Sequence, residues 1–298
     1  MKLWEGHRIF KAQNIMRSFL GVGFLVAICV VGCGPKAPKA LEICPGKASL
    51  AESLVVLRSR FENAASFKAD GKCTARFYDR DKEKYRRESF DVRVWFEPPS
   101  NLLLHGDVLF NPRGIVVGSN AEKFWLAMKP KELGNSYYWG RWAEARGFGR
   151  LILSPRMLLE AFGIIDVGDA QMWSLSNEGA MDVLTARDET GQVVKKVYIY
   201  NCDYTVRKIE YFSDGPEPAA VLELGDYENV SGEARVPTEI KVVTVGEDGI
   251  RDSFAIGLSS FRPYEFDEAS RGRFFRRLSP KGFEHTYRFI GQHPVKIE

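Results

Sequence analysis

From Phe67 onward the chain alternates apolar and polar residues, with turn signals at short, even intervals and almost no helical stretch between them. Nothing else in the sequence constrains the fold as much. Val92, Val94 and Phe96 alternate with Asp91, Arg93 and Glu97 until Pro98-Pro99 halts the run. A period of two puts one residue set on each face of a strand. Leu102, Leu104, Gly106 and Val108 continue it, ended by Asn111-Pro112-Arg113-Gly114. Further strands are predicted over Ile115–Gly118, Phe124–Met128 and Tyr137–Arg141. After a break they resume over Met181–Arg187, Val193–Tyr200, Val206–Phe212, Val221–Tyr227, Ile240–Val245 and Ser253–Ser259. Asp188-Glu189-Thr190-Gly191 and Glu247-Asp248-Gly249 read as hairpin turns. Parallel strands need long crossovers, usually helical. The order therefore predicts an antiparallel meander, a mainly β fold of the α+β kind.

Two helices frame this pattern. Ser49 and Glu52 form a capping box, and Leu50, Leu54, Leu57 and Phe61 share one face of a helix ending near Ala64 or Ala65. In the break, Ser154 suits an N-cap, Pro155 a first helical position and Gly163 the residue past the end. Between them lie Met157, Leu158, Leu159, Ala161 and Phe162. A helix this apolar, in the middle of a sheet protein, must bury itself against the sheet.

The first residues read as an export signal. Phe19 to Val31 carries no charge, yet falls well short of the ~20 residues that span a bilayer. Lys11 and Arg17 precede it as an n-region, and Met16 offers an alternative start. Val30-Val31-Gly32-Cys33 resembles a bacterial lipobox, so Cys33 is the candidate lipid anchor; an ordinary secretory signal cut near Gly34 is the alternative. The expected organisation is a signal over 1–32, the lipidated cysteine and a flexible tether over 33–47, and a single domain over 48–298. Residues 1–32 hold Lys2, Arg8, Lys11 and Arg17 against Glu5, so the formal charge of +3 disappears with them. A neutral surface lacks the field that phosphate-backbone binding demands, which argues against nucleic acid as a partner. Export permits one disulfide among Cys44, Cys73 and Cys202. Cys73–Cys202 is the pairing considered, beside the reading of all three as plain buried thiols.

The order of elements is similar to that of the lipoprotein-carrier superfamily, the fold of LolA and LolB. Local patterns carry the likeness: Ser66-Phe67-Lys68-Ala69, the corner Glu97-Pro98-Pro99-Ser100-Asn101-Leu102, Phe124-Trp125-Leu126, and Val236-Pro237-Thr238-Glu239-Ile240. The resemblance implies a curved antiparallel sheet forming an incomplete barrel, with an N-terminal helix and a mid-chain lid helix over an apolar concavity. It also implies an acyl chain or lipoprotein as ligand. LolA is a soluble shuttle, so an anchor at Cys33 is closer to LolB. One face per strand gives Val94, Phe96, Leu104, Phe124, Leu126, Tyr198, Tyr211, Leu224 and Val242 as candidate lining, with Leu158 and Phe162 in the lid. The same residues would also describe a filled core.

Catalytic signatures are absent from the sequence. His105, His285 and His293 show no metal-ligand spacing, no GxSxG elbow or P-loop occurs, and Gly147-Phe148-Gly149 is a lone GxG. No metal and no cofactor are expected. Three readings follow. The first is a monomeric, membrane-anchored envelope lipoprotein binding a lipid or acylated protein, on the outer membrane facing the periplasm. The second is a structural or interaction lipoprotein with a filled core, and the third an anchored hydrolase. One further stretch interleaves Arg271, Arg273, Arg276, Arg277 and Lys281 with Phe274 and Phe275, as a membrane-surface contact or a solvated charged edge.

Overall fold

The computed structural model describes residues 42–79, 82–108, 111–145, 155–213, 215–232, 234–246, 248–291 and 293–297. The signal, Cys33, Gly147-Phe148-Gly149, Ser154 and Glu247 lie outside them. Helix α1 (Leu50–Glu62) starts as its capping box dictates. Ser49 Oγ accepts from Glu52 N–H, and the Glu52 carboxylate accepts from Ala48 N–H. Two hairpin series follow. The first comprises β1 (Phe67–Asp79), β2 (Lys84–Glu97), β3 (Asn101–Val108), β4 (Asn111–Ser119), β5 (Lys123–Met128) and β6 (Ser136–Ala145). Helix α2 (Pro155–Glu160) intervenes. The second series comprises β7 (Trp173–Glu178), β8 (Met181–Arg187), β9 (Val193–Tyr200), β10 (Val206–Phe212), β11 (Pro218–Ser231), β12 (Ala234–Val245) and β13 (Arg251–Pro263). Helix α3 (Glu268–Phe274), β14 (His285–Gly291) and β15 (His293–Lys296) close the chain.

All these strands form one sheet, in the order β15-β14-β6-β5-β4-β3-β2-β1-β13-β12-β11-β10-β9-β8-β7. The two series meet where β1 pairs with β13, antiparallel, Phe67 opposite Pro263. Every pairing is antiparallel except β14 with β6, where the chain returns from α3 and must enter alongside. The sheet has two ends, β15 and β7, and does not close into a barrel. One apolar cluster nonetheless joins side chains from β1 to β5 with others from β7 to β13. Two short helices are too small to cover that face of a flat sheet, yet its residues are buried, so the sheet curls around its core. Leu54 and Leu57 of α1 and Met157, Leu158, Ala161 and Phe162 around α2 belong to the same cluster.

A second apolar cluster lies on the convex face. Leu103, Val116, Trp125, Ala127 and Tyr137 of β3 to β6 are covered by Phe266 and Phe275, with Trp95, Tyr264, Phe274 and Phe283 packed around them. Phe274 stacks on Trp95 with centroids 5.2 Å apart, Arg277 lies over Trp139, and Arg271 pairs with Glu97 at 2.6 Å. The aromatics of the basic stretch thus face the sheet, and Arg277 with them, while Arg271, Arg273 and Arg276 stay exposed. Gly118 on β4 is required here, because a Cβ would stand 2.3 Å from the Trp125 indole.

The disulfide joins Cys44 to Cys202, and Cys73 is a buried free thiol. The pairing considered for Cys73 fails because β10, β11, β12 and β13 separate β1 from β9 in the sheet. Disulfide geometry tolerates Cα separations only up to about 7 Å. Glu42–Lys47, expected as flexible tether, is bonded to the body. Besides the disulfide, Lys47 N–H donates to Asp182 and Tyr200 donates to the Glu42 carbonyl.

Candidate ligand-binding site

The concave face is built by register. On β2 the inward residues are Phe90, Val92, Val94 and Phe96; β3 supplies Leu102 and Leu104, and β4 Ile115 and Val117. From the other series come Leu184, Val197, Ile199, Ile209, Leu222, Leu224, Ile240 and Val242. Among the candidate lining residues, Val94, Phe96, Leu104, Leu126, Leu224 and Val242 lie in this cluster with the lid residues Leu158 and Phe162. Phe124 shares the face of Leu126 but packs sideways, 4.9 Å from Trp142 and 5.8 Å from Phe289. These nine are exposed by 4 % or less. Tyr211 is half-buried against the cluster. Tyr198 stands on the opposite face, because Val197 and Ile199 on either side of it point inward. There it donates to Glu210, with the Lys208 ammonium 3.7 Å from its ring centroid.

The lid helix is docked by rings. Phe162 meets Phe67 edge-on at 5.3 Å and lies 4.7 Å from Phe96. Ile165 and Val167 continue the buried run, and the Trp173 indole N–H fastens it by donating to the Val167 carbonyl at 2.6 Å. The turn after α2 passes through Gly163 at φ +76, where a Cβ would also come 3.0 Å from the Tyr227 hydroxyl. A side chain there would be strained twice over.

One polar group sits among these contacts. Glu160, the last residue of α2, is 6 % exposed. Both its carboxylate oxygens accept from Lys195 Nζ, at 3.0 and 3.1 Å, and Tyr211 donates to one of them. Burial and the Glu160 charge push the Tyr211 phenol well above its ordinary value, keeping it a donor. Neither Glu160 nor Lys195 is among the residues that stand out in the sequence as candidates. The signal was present: Lys195 shares the strand parity of Val197 and Ile199, so a cation faces the core there.

An open cleft of about 500 Å³ lies elsewhere, lined by Ser66, Glu97, Tyr264, Phe266 and Arg271 among others, and none of the candidate lining residues borders it. His105 lies on the convex face beside Trp95, ring centroids 5.1 Å apart. Among the described residues no helix is long and apolar enough to cross a membrane, and no group of acidic, histidine or cysteine side chains is placed to hold a metal.

Comparison with solved structures places the architecture. An outer membrane lipoprotein-sorting protein domain from Vibrio parahaemolyticus aligns over 76 % of this chain and 96 % of its own, with a TM-score of 0.51 at 10 % identity. The fold is that of this sorting-protein domain. A LolA superfamily protein from Nitrosomonas europaea aligns over 78 % of this chain and 99 % of its own (TM-score 0.47, 12 % identity). A DUF1329 family protein from Desulfovibrio piger aligns over 74 % and 95 % (TM-score 0.48, 12 % identity). At such identities the likeness is one of fold alone. No protein-family profile and no curated protein matches the sequence.

Proposed function

We propose that this chain is an envelope lipoprotein, anchored through Cys33 and facing the periplasm from the outer membrane, whose curved sheet receives an acyl chain beneath α2. The observation that carries this reading is how the concave face is covered. A six-residue helix, with Ala161, Phe162, Ile165 and Val167 after it, is inserted among the apolar side chains of both strand series. The sorting role named for the Vibrio protein is in keeping with it.

Of the candidate lining and lid residues, all but Tyr198 and Tyr211 are exposed by 4 % or less and packed against their neighbours. An acyl chain would therefore enter by displacing the lid. Re-exposing Met157, Leu158, Phe162, Ile165 and Val167, at about 1.5–3 kcal/mol each, costs roughly 7–15 kcal/mol. A chain of ~14 methylenes at about 0.8 kcal/mol each returns on the order of 11 kcal/mol. The two terms are similar in size, so the exchange would be reversible, as a carrier needs. The filled interior equally favours a second reading, an interaction lipoprotein that binds no ligand.

Lipid extraction and mass spectrometry of the chain purified without its anchor separate the two. Co-purified acyl chains, together with fluorescent fatty-acid binding that Phe162→Glu or Leu126→Glu weakens in a folded protein, are expected on the first reading. A ligand-free protein unresponsive to fatty acids would overturn it in favour of the second.

A further inference from the structure

Lys195 and Tyr211 lie directly opposite each other on β9 and β10, both on the concave side. Nζ lies 5.7 Å from the Trp173 ring centroid and 5.8 Å from that of Tyr211. The side chains of Lys195 and Glu160 are only 15 % and 8 % exposed. As a device for holding the lid down this is a poor choice. Desolvating two ions offsets most of their attraction, and apolar residues of similar size usually serve as well. Met157, Leu158, Ala161 and Phe162 already dock the helix by apolar contact. The cation and the phenol are also the part of the arrangement that belongs to the sheet. When α2 lifts, Glu160 leaves with it, while Lys195 and Tyr211 stay at the end of an apolar trough.

We propose that Lys195 and Tyr211 are a seat for the anionic head of a single-chain amphiphile, and that the Glu160 carboxylate occupies this seat while the lid is closed. A fatty-acid carboxylate is the same planar group as the Glu160 head, so it can accept from Nζ and from the phenol as Glu160 does. Its tail would take the volume vacated by Leu158 and Phe162, towards Phe67 and Phe96 across the trough. Arg156, exposed on α2, adds positive potential at Tyr211. The inference rests on the acyl-chain reading above and narrows it. An acylated protein whose lipid ends in neutral ester and amide groups would leave the cation unpaired, whereas a free fatty acid or a lipid phosphate would satisfy it.

The test is a ratio of affinities, because lid opening weighs equally on ligands with the same tail. Calorimetric titration of the anchor-free chain with oleate, methyl oleate and oleoyl lysophosphatidate, each delivered from cyclodextrin, measures that ratio. Oleate or the lysophosphatidate is expected to bind at least about tenfold more tightly than the ester, as a charge-assisted hydrogen bond allows. The tighter of the two names the head group. Lys195→Met should bring the ratio close to one and Tyr211→Phe should lower it, while Glu160→Gln should tighten acid and ester alike. The double variant Glu160→Gln with Lys195→Met leaves no unpaired charge and should also show a ratio near one, should Lys195→Met alone fail to fold. Equal binding of acid and ester by the unaltered chain overturns this inference and leaves the acyl-chain reading standing. A ratio that survives Lys195→Met overturns it too. Binding of none of the three overturns both.

Discussion

Strands β3 to β5 and strands β11 to β13 belong to one sheet and bury themselves differently. In the first group both faces are covered: Val117 and Leu126 point into the concave core, while Leu103, Val116, Trp125 and Ala127 point into the convex cluster beneath the α3 segment. In the second group Leu224, Ile240 and Val242 point inward, while Glu223, Glu239 and Lys241 face solvent. The sequences carry the difference directly. Leu102-Leu103-Leu104, Ile115-Val116-Val117 and Phe124-Trp125-Leu126-Ala127 are continuous apolar runs, whereas Glu239-Ile240-Lys241-Val242 alternates. A strand buried on both faces reads as continuous and one buried on a single face as alternating. Alternation therefore reports how many layers will cover a strand as well as which side is inside.

The largest expected effect tests that distinction on the convex face alone. Trp125→Ala removes a fully buried indole and should destabilise the fold by about 3–5 kcal/mol, read as a shift in urea midpoint. Lys241→Ala breaks a 2.7 Å pair with Glu223 at a site where both side chains are 52 % exposed, and should change stability by less than about 0.5 kcal/mol. Comparable losses at the two sites would show that the α3 segment does not protect the first group. Gly118→Ala sharpens the point, since its Cβ would meet the same indole. A loss of about 1–3 kcal/mol is expected from that overpacking.

The next effect lies outside both groups. Cys44–Cys202 closes a loop with a sequence separation of 158 residues between the chain before α1 and the turn after β9. Replacing both cysteines with serine should lower stability by about 2–4 kcal/mol, the ordinary range for such a link. Hydrogen exchange should quicken first at Lys47, whose N–H bonds Asp182. Unaltered exchange there would mean that the polar contacts alone hold Glu42–Lys47.

Much of this comparison was legible beforehand. The spans Met181–Arg187, Val193–Tyr200 and Val206–Phe212 coincide with β8, β9 and β10, because alternation and turn residues act locally. The capping box likewise fixes the start of α1. What stayed hidden depends on the route of the chain through space. That β14 would pair in parallel with β6, or that Phe275 would join Val116 and Trp125 in the convex cluster, follows from the path after α3, which no local spacing encodes. Tyr198 was misplaced by one residue of parity: its own β-propensity is as good inside as outside, and only Val197 and Ile199 decide the face. Lys195 escaped notice for the complementary reason. A lysine in a strand is ordinarily solvated, and its partner Glu160 is supplied by a helix 35 residues earlier.

The smallest expected effect returns to the doubly covered group. His105 sits on the outer side of β3 beside Trp95, where burial first, and then Arg113 and Arg93, hold its imidazole down to about 4. Its unfolded value is about 6.5, so the unfolded chain binds the extra proton between those limits. The folded protein is thus fully stabilised above about pH 6.5 and loses that contribution as pH falls towards 4. With solvent still reaching the ring, the loss should be on the order of 1 kcal/mol. His105→Gln keeps a polar side chain on β3 and removes the titration, so its urea midpoint should vary less between pH 6.5 and pH 4 than that of the unaltered protein. Equal slopes in the two proteins would mean that water reaches the ring freely. The convex face of β3 would then be no better covered than that of β12.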